Sequence, residues 1–393
     1  MTAAIRRAIR RIDTAVGRRL GPRRVLVDAR TPMNFGILAP VCRALRSDAR
    51  VDVVFTADRP DEFASAAATD ADFDIRPRHA LKWRRVDLCL SADPWDPIEL
   101  RRCHRRANFF HGVAGKYDLD APMNLPAGFG DFDRVAFVNA NRMDKYLAAG
   151  IVKPKAAVLV GYPKVDALVN GCYDAVAVRT GLRLEPGRRT AMYAPTWSPA
   201  SSLNLAGEAI VRNLLDAGLN VIVKLHDRSL DRTNVKYSGG VDWRARFAAI
   251  DAPGRLAFVE AADSSPLLAA SDAMITDHSS IGFEFCLLDR PLIVFDAPDL
   301  LHAARINPEK MALLRSAARV VRTAEDIAGA VTEEIEHPAH LSAARRALVR
   351  EMFHRPGSAT PRAMAMIYDL LELPAPTPHG LPSYDTRIAE SAL

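Results

Sequence analysis

Four short stretches of this chain place hydroxyl, imidazole and carboxylate groups directly after apolar runs. The densest is Thr276-Asp277-His278-Ser279-Ser280-Ile281-Gly282-Phe283-Glu284-Phe285, which follows the apolar run 273–276. Small residues where a strand turns into a helix bare backbone N–H groups. Partial positive charge and unpaired donors gather there, and they suit a phosphate or pyrophosphate. The hydroxyls of Ser279 and Ser280 add two donors, and Glu284, about one helical turn further on, is placed to accept from a ribose diol. Helix capping alone would use one serine; it does not call for Asp-His-Ser-Ser at a strand end. A second stretch, Phe109-Phe110-His111-Gly112, runs on to Lys116. An imidazole titrates near neutral pH, so His111 can take a proton from a hydroxyl and return it. Gly112 and Gly115 let a ligand come close to the backbone. The third stretch is Lys224-Leu225-His226-Asp227. His226 could neutralise a phosphate or donate to a leaving group, with Asp227 holding the imidazole charged; equally, it could be a strand-end histidine capped by Asp227. The fourth, Tyr193-Ala194-Pro195-Thr196-Trp197-Ser198, could wall a base or an acceptor, although by residue type alone aromatics at a strand end belong to a core.

Residues so placed need parallel strands that end in one region. The chain alternates short continuous apolar runs with helical patterns, as a parallel sheet covered on both faces requires. Strands are predicted over 24–28, 51–56, 86–90, 108–111 and 135–139, with a helix over 35–45. Between 161 and 187 the pattern loosens into Gly, Pro and Arg, and this reads as an inter-domain connection. A second series follows, with strands over 190–196, 220–225, 256–260, 273–276 and 291–295 and a last one from Val320. The expectation is an α/β protein: an N-terminal Rossmann-like acceptor domain over 23–165, a nucleotide-binding one over 188–340, helices over 341–373 broken at Pro356-Gly357, and a disordered tail over 374–393. Two such halves imply a central cleft, with ligands at the carboxyl ends of the strands.

The 393 residues suit two domains plus extensions. The net charge of +6 is concentrated in one place. Residues 1–24 hold Arg6, Arg7, Arg10, Arg11, Arg18, Arg19, Arg23 and Arg24 against Asp13, which leaves the rest close to neutral. That excludes a nucleic-acid-binding body and predicts a basic arm on an ordinary enzyme. In the arm, Ile5, Ile9, Ile12, Val16 and Leu20 fall on one helical face, and Gly21-Pro22 ends the helix. Residues 1–22 are therefore expected to lie on an anionic membrane surface. The five cysteines form no CxxC pair, so neither a disulfide framework nor a zinc site is expected. No apolar run is long enough to span a bilayer, and no apolar core marks a secretory signal.

Together the four stretches resemble the CDP-glycerol glycerophosphotransferase family, the enzymes that prime and polymerise teichoic acids. The family's His-Gly after a first-domain strand is matched by His111-Gly112, and its Tyr-Ala-Pro-Thr-Trp by Tyr193 to Trp197. Its strand ending in Leu-His-Pro is matched by Leu225-His226, with Asp227 in place of proline. Its Thr-Asp-Tyr-Ser-Ser and Phe-Asp/Glu-Phe are matched by Thr276 to Ser280, with His278 for tyrosine, and by Phe283-Glu284-Phe285. The family's Thr-Pro-Leu-Lys after His-Gly is here Val113-Ala114-Gly115-Lys116. The resemblance covers roughly residues 100 to 300. It implies a GT-B fold, a CDP-glycerol-like donor, no metal or other cofactor, and a membrane-bound, teichoic-acid-like acceptor. The group moved would be glycerophosphate, a related polyol phosphate or a glycosyl group. The enzyme would be cytoplasmic and peripheral to the inner face of the membrane. By the same resemblance His111 is the base on the acceptor hydroxyl and His226 contacts the donor phosphates. Gly112, Lys116, Tyr193, Thr196, Trp197, Lys224, Thr276, Asp277, Ser279, Ser280 and Glu284 would line the substrates. The serine stretch also looks like the Thr-Asp-Ser-Gly-Gly loop of UDP-N-acetylglucosamine 2-epimerases, which act on a soluble nucleotide sugar and need no membrane arm. A third reading is a non-catalytic nucleotide-binding scaffold, in which the histidines would be dispensable.

Overall fold

The structure is a computed structural model that describes residues 21–30, 32–57, 75–92, 98–110, 112–115 and 131–376. His111, Lys116, residues 1–20 of the arm and residues 377–393 of the tail lie outside these. The described chain divides into two compact units. The first holds residues up to 110, 131–166 and 353 onward; the second holds 112–115 and 167–352.

The first unit is built on β1 (Arg23–Asp28), β2 (Val51–Ala57), β3 (Ile75–Pro77), β4 (Arg85–Ser91), β5 (Arg102–Phe109), β6 (Arg134–Phe137) and β7 (Ala157–Leu159). Every pairing is parallel, in the order β3-β2-β1-β4-β5-β6-β7. Strands such as Val25-Leu26-Val27 are buried on both faces, which is why they read as unbroken apolar runs. The strand expected from Asn108 begins instead at Arg102. Its first five residues include Arg102, His104, Arg105 and Arg106, and these polar tips hid it from the pattern. Arg105 pairs with Asp133 at 2.9 Å and Arg106 donates to the Ile98 carbonyl at 3.1 Å, so the charged ends are held while the backbone stays in the sheet. The strand expected to reach Asn139 stops at Phe137; Asn139 instead caps the helix Ala140–Ala148, its Oδ1 accepting the Arg142 N–H at 2.9 Å.

The second unit carries β8 (Thr190–Tyr193), β9 (Asn220–Val223), β10 (Leu256–Phe258), β11 (Ala273–Thr276), β12 (Leu292–Phe295) and β13 (Arg319–Val321). These are again all parallel, in the order β10-β9-β8-β11-β12-β13. Counted within the unit, that is the 3-2-1-4-5-6 order of a dinucleotide-binding sheet. Strand order reverses between β8 and β11, and in open parallel sheets ligands bind at the carboxyl ends of the strands at such a reversal. Val221, Val223, Ile275 and Ile293 are fully buried beneath the helix Ser202–Asp216 and its neighbours. Each such side chain contributes about 1.5–3 kcal/mol by leaving water.

The segment 167–187, expected as a loose connection, contributes the helix Ala175–Gly181, which rests on the helix Ser265–Ala270 of the second unit. At the other end the chain crosses back. The helix Ser342–Met352 stays with the second unit, whereas Ala359–Leu371 belongs to the first. Asp166 receives the returning segment: its carboxylate accepts the N–H groups of Ala359 and Thr360 at 3.0 and 2.5 Å. Gly161 lies under the same segment with φ +92°, and a Cβ there would sit 2.6 Å from the His354 carbonyl oxygen and 2.9 Å from Arg362 Nη2. Gly161→Ala is therefore expected to destabilise the first unit by about 2–3 kcal/mol. Chemical denaturation would read this as a lower midpoint, and an unchanged midpoint would show that the contact is relieved at little cost.

Candidate functional site

Two of the polar stretches leave the sheet at the reversal of strand order, one from β8 and the other from β11. Asp277, the first residue past β11, is buried, and its carboxylate is filled from inside the protein. Oδ1 accepts the N–H of Thr196 at 2.8 Å and of His278 at 2.6 Å. Oδ2 accepts the N–H of Ser202 at 3.0 Å and its hydroxyl at 2.9 Å. Because that hydroxyl donates to Asp277, it accepts from the Tyr193 hydroxyl 3.0 Å away. The Thr276 hydroxyl donates to the Ala194 carbonyl at 2.8 Å. Four of the residues expected to line a substrate, Tyr193, Thr196, Thr276 and Asp277, thus bind the two stretches to each other. A carboxylate has about four acceptor sites, and all of those on Asp277 are in use. Burial drives the Tyr193 phenol well above its ordinary range, so it stays a neutral donor.

Ser279 and Ser280 are different. Both are half-buried, and neither hydroxyl has a hydrogen-bond partner among the described residues. Ser279 stands at the cap of the helix Ser280–Phe285 without spending its side chain on the cap. That helix has only 6 residues before it tightens into the turn Cys286–Leu288, so its dipole is small. An anion placed here would meet the two hydroxyls and the N–H groups at the very start of the helix. Glu284 is buried on this helix, and His278 is buried against the edge of Phe283, ring centroids 5.9 Å apart at 87°.

His226 follows β9, next to β8 in the sheet. It caps the helix Asp227–Leu230 itself: Nδ1 accepts the Arg228 N–H at 3.1 Å. With Nδ1 accepting, Nε2 is the ring nitrogen left to donate. The expectation that Asp227 caps this residue is corrected: Asp227 takes the exposed first position of the helix and the histidine is the cap. Lys224 folds back, its Nζ donating to the Leu225 carbonyl at 2.7 Å. Trp197 is buried, with the His226 ring 6.2 Å away and Tyr237 edge-on at 4.9 Å. The Arg228 guanidinium lies 4.6 Å from the Trp197 ring and 4.7 Å from the Tyr237 ring. Nothing in the spacing marked Arg228 or Tyr237, because their meeting depends on how the chain folds after β9.

The glycines after His111 come to the second unit, where a Cβ on Gly112 would lie 3.4 Å from the Ser280 hydroxyl. Gly112 has φ +70° and Gly115 φ +64°, so both positions favour glycine in their own right. On the first unit, Phe110 is locked between Phe137 and Tyr146 at 5.1 and 5.3 Å, with the buried Arg142 guanidinium 5.1 Å from its ring. Arg142 also went unmarked in the sequence, where it is one arginine among many. The structure thus gathers Trp197, His226, the serine loop and Gly112 in the second unit; it leaves His111 and Lys116 outside the described residues.

Residues 136–368 match the family described as CDP-Glycerol:Poly(glycerophosphate) glycerophosphotransferase. A teichoic acid poly(glycerol phosphate) polymerase of Staphylococcus epidermidis is 31% identical over 142 residues, which are 35% of this chain and 19% of that protein. This chain therefore spans about a fifth of the length of that relative. Among solved structures, the wall teichoic acid polymerase TagF aligns with a TM-score of 0.66 at 16% identity, covering 89% of each chain. A UDP-GlcNAc 2-epimerase from Neisseria meningitidis, bound to UDP-GlcNAc, aligns with a TM-score of 0.58 at 13% identity, covering 89% of this chain and 100% of that one. At such identities the likeness is one of fold, that of the paired Rossmann-like units called GT-B.

Proposed function

We propose that this chain, which belongs to the CDP-glycerol:poly(glycerophosphate) glycerophosphotransferase family, moves a glycerophosphate unit from CDP-glycerol, or a closely related donor, to a membrane-bound glycan or teichoic-acid-like acceptor. In this reading an acceptor hydroxyl oxygen bonds to the phosphorus that carries the glycerol. The bond from that phosphorus to the cytidine monophosphate oxygen breaks, and the nucleotide leaves. Ser279, Ser280 and the first N–H groups of their helix hold the diphosphate, Nε2–H of His226 donates to it, and Glu284 receives the ribose. Trp197 walls the site, and Gly112, lacking a side chain, keeps the space beside the Ser280 hydroxyl open. His111 takes the acceptor proton as the new bond forms.

The observation that carries the reading is the contrast within one loop: Asp277 is filled by its neighbours, while the two serines after it keep their hydroxyls at the reversal of strand order. Hydrogen bonds to a charged acceptor contribute about 1.5–3 kcal/mol each. Ser279→Ala/Ser280→Ala should therefore weaken CDP-glycerol binding at least about tenfold without abolishing it, since the backbone donors remain. Calorimetric titration measures this, and full affinity in the double variant would reduce the serines to a helix cap. Nucleotide class is read by thermal shift, where a ligand at about 100 times its Kd adds about 2.7 kcal/mol. Stabilisation by UDP-N-acetylglucosamine and not by CDP-glycerol would replace the transferase reading with the epimerase one.

The membrane side of the proposal rests on residues 1–22, whose apolar stripe and arginines suit an anionic surface. Among the described residues no helix is long and apolar enough to cross a membrane. Contact with the acceptor's bilayer would then be peripheral, at its inner face.

A further inference from the structure

In an all-parallel sheet every strand begins at the same edge. In the first unit that edge is strongly basic: β1 opens with Arg23-Arg24, β4 with Arg85 and β5 with Arg102, while Lys82, Arg84 and Arg101 lie just before β4 and β5. Arg85 and Arg102 are direct neighbours across the ladder, and the Arg101 N–H donates to the Lys82 carbonyl at 2.8 Å, so both approaches form one surface. In its middle stands Trp83, 68% exposed, with the Arg101 guanidinium 6.0 Å from its ring. Acids answer part of this charge. Asp52 pairs with Arg24 at 3.2 Å, Asp133 pairs with Arg105 at 2.9 Å, Glu99 is shared between Lys82 and Arg101 at 2.8 and 2.5 Å, and Asp87 is buried, accepting from Arg85 at 3.1 Å and from the Arg24 N–H at 2.8 Å. Arg84 has no ion pair among the described residues, and Arg101 and Arg102 are exposed. A large aromatic ring in water within a ring of cations is poor surface for a protein alone. It is the composition that settles at a phospholipid headgroup layer, indole among the acyl boundaries and guanidinium groups on phosphate.

We propose that this edge of the first unit, centred on Trp83, is a docking surface for an anionic phospholipid bilayer. The chain enters the unit at this same edge, because residue 21 stands beside the start of β1. In sequence, the arginine-rich stretch 1–20 leads directly into this edge. The apolar stripe of that stretch has a use at a lipid surface and none on a nucleic acid, which decides between two polyanions that could both meet the arginines. The inference deepens the membrane reading of residues 1–22 and rests on it for the kind of partner, but it assigns a second, folded surface.

The test is co-sedimentation of the full chain with phosphatidylcholine vesicles, with and without phosphatidylglycerol. Three variants are compared with the parent: Trp83→Ala, Arg84→Glu/Arg102→Glu, and Ile9→Glu/Val16→Glu to disable the stripe. Each basic side chain near an anionic surface contributes about fivefold to partitioning. The arginine pair variant should lose at least about 25-fold on anionic vesicles. Trp83→Ala should lose severalfold, with melting temperature and CDP-glycerol binding as in the parent. The stripe variant should keep a part of its binding that Trp83→Ala then removes. If the stripe variant loses all binding while the two edge variants keep all of theirs, the arm alone docks and this proposal falls. If no variant matters, both membrane assignments fall. Displacement of the parent from vesicles by single-stranded RNA, with Trp83→Ala resistant to it, would give the surface to nucleic acid instead.

Discussion

Replacing His111 with alanine is expected to lower turnover by about 10² to 10⁴ while donor affinity stays near that of the parent. A hydroxyl is a weak nucleophile at neutral pH, and a base within hydrogen-bond reach takes its proton as the bond to phosphorus forms. The loss should appear in kcat and equally in kcat/KM, since the contact is made only with the reacting acceptor. His226→Ala should behave otherwise. Its Nε2–H is a donor fixed by the bond from Arg228 N–H to Nδ1, on the strand next to β8, so both donor affinity and rate should fall. The pH profile separates the two roles. A base must be unprotonated to act, so activity should fall as pH drops through the ordinary imidazole range, and this limb should vanish in the His111 variant. Full transferase activity in His111→Ala with an identified donor would move the base elsewhere.

Asp277→Ala should be the most destabilising change in the second unit. It strips partners from the buried N–H groups of Thr196, Ser202 and His278 and from the Ser202 hydroxyl. An unpaired buried donor costs about 1–3 kcal/mol; partial relaxation puts the sum at roughly 4–5 kcal/mol. Melting temperature should fall on the order of 10 °C. Asp277→Asn keeps two acceptor sites on one oxygen and should lose about half as much. It should still weaken nucleotide binding, because the serine loop would lose its anchor to the β8 stretch. If Asp277→Ala melts like the parent, the four contacts are dispensable and the loop is held by other means.

Two Rossmann-like series were readable because parallel strands buried on both faces leave continuous apolar runs, as in β1, β4, β9 and β11. β5 was half legible: its arginines sit on a backbone that is in the sheet all the same, and hydropathy cannot separate a paired guanidinium from a loop one. The three-residue strands β3 and β7 are too short to show any period. Within the site, residue type and placement after strands drew attention to Asp277, Ser279 and Ser280 alike. They could not tell which would be consumed, since the partners of Asp277 lie 75 and 81 positions away along the chain. Tyr193 followed the rule for its type and is core, whereas Trp197 beside it stacks on an arginine that nothing nearby in sequence foretold.

The return of Ala359–Leu371 to the first unit bears on the order in which the protein can fold during synthesis. A domain made first by the ribosome ordinarily folds first. Here Asp166 waits for the N–H groups of Ala359 and Thr360, and Gly161 for the backbone around His354, so the first unit stays incomplete until residues 353–371 have emerged. The second unit has all six of its strands by Val321 and its helix Ser342–Met352 soon after. Of these two units, the one whose strands are made first is thus completed second, and a nascent chain halted before residue 353 would carry a second unit with every strand in hand and a first unit still lacking its closing helix.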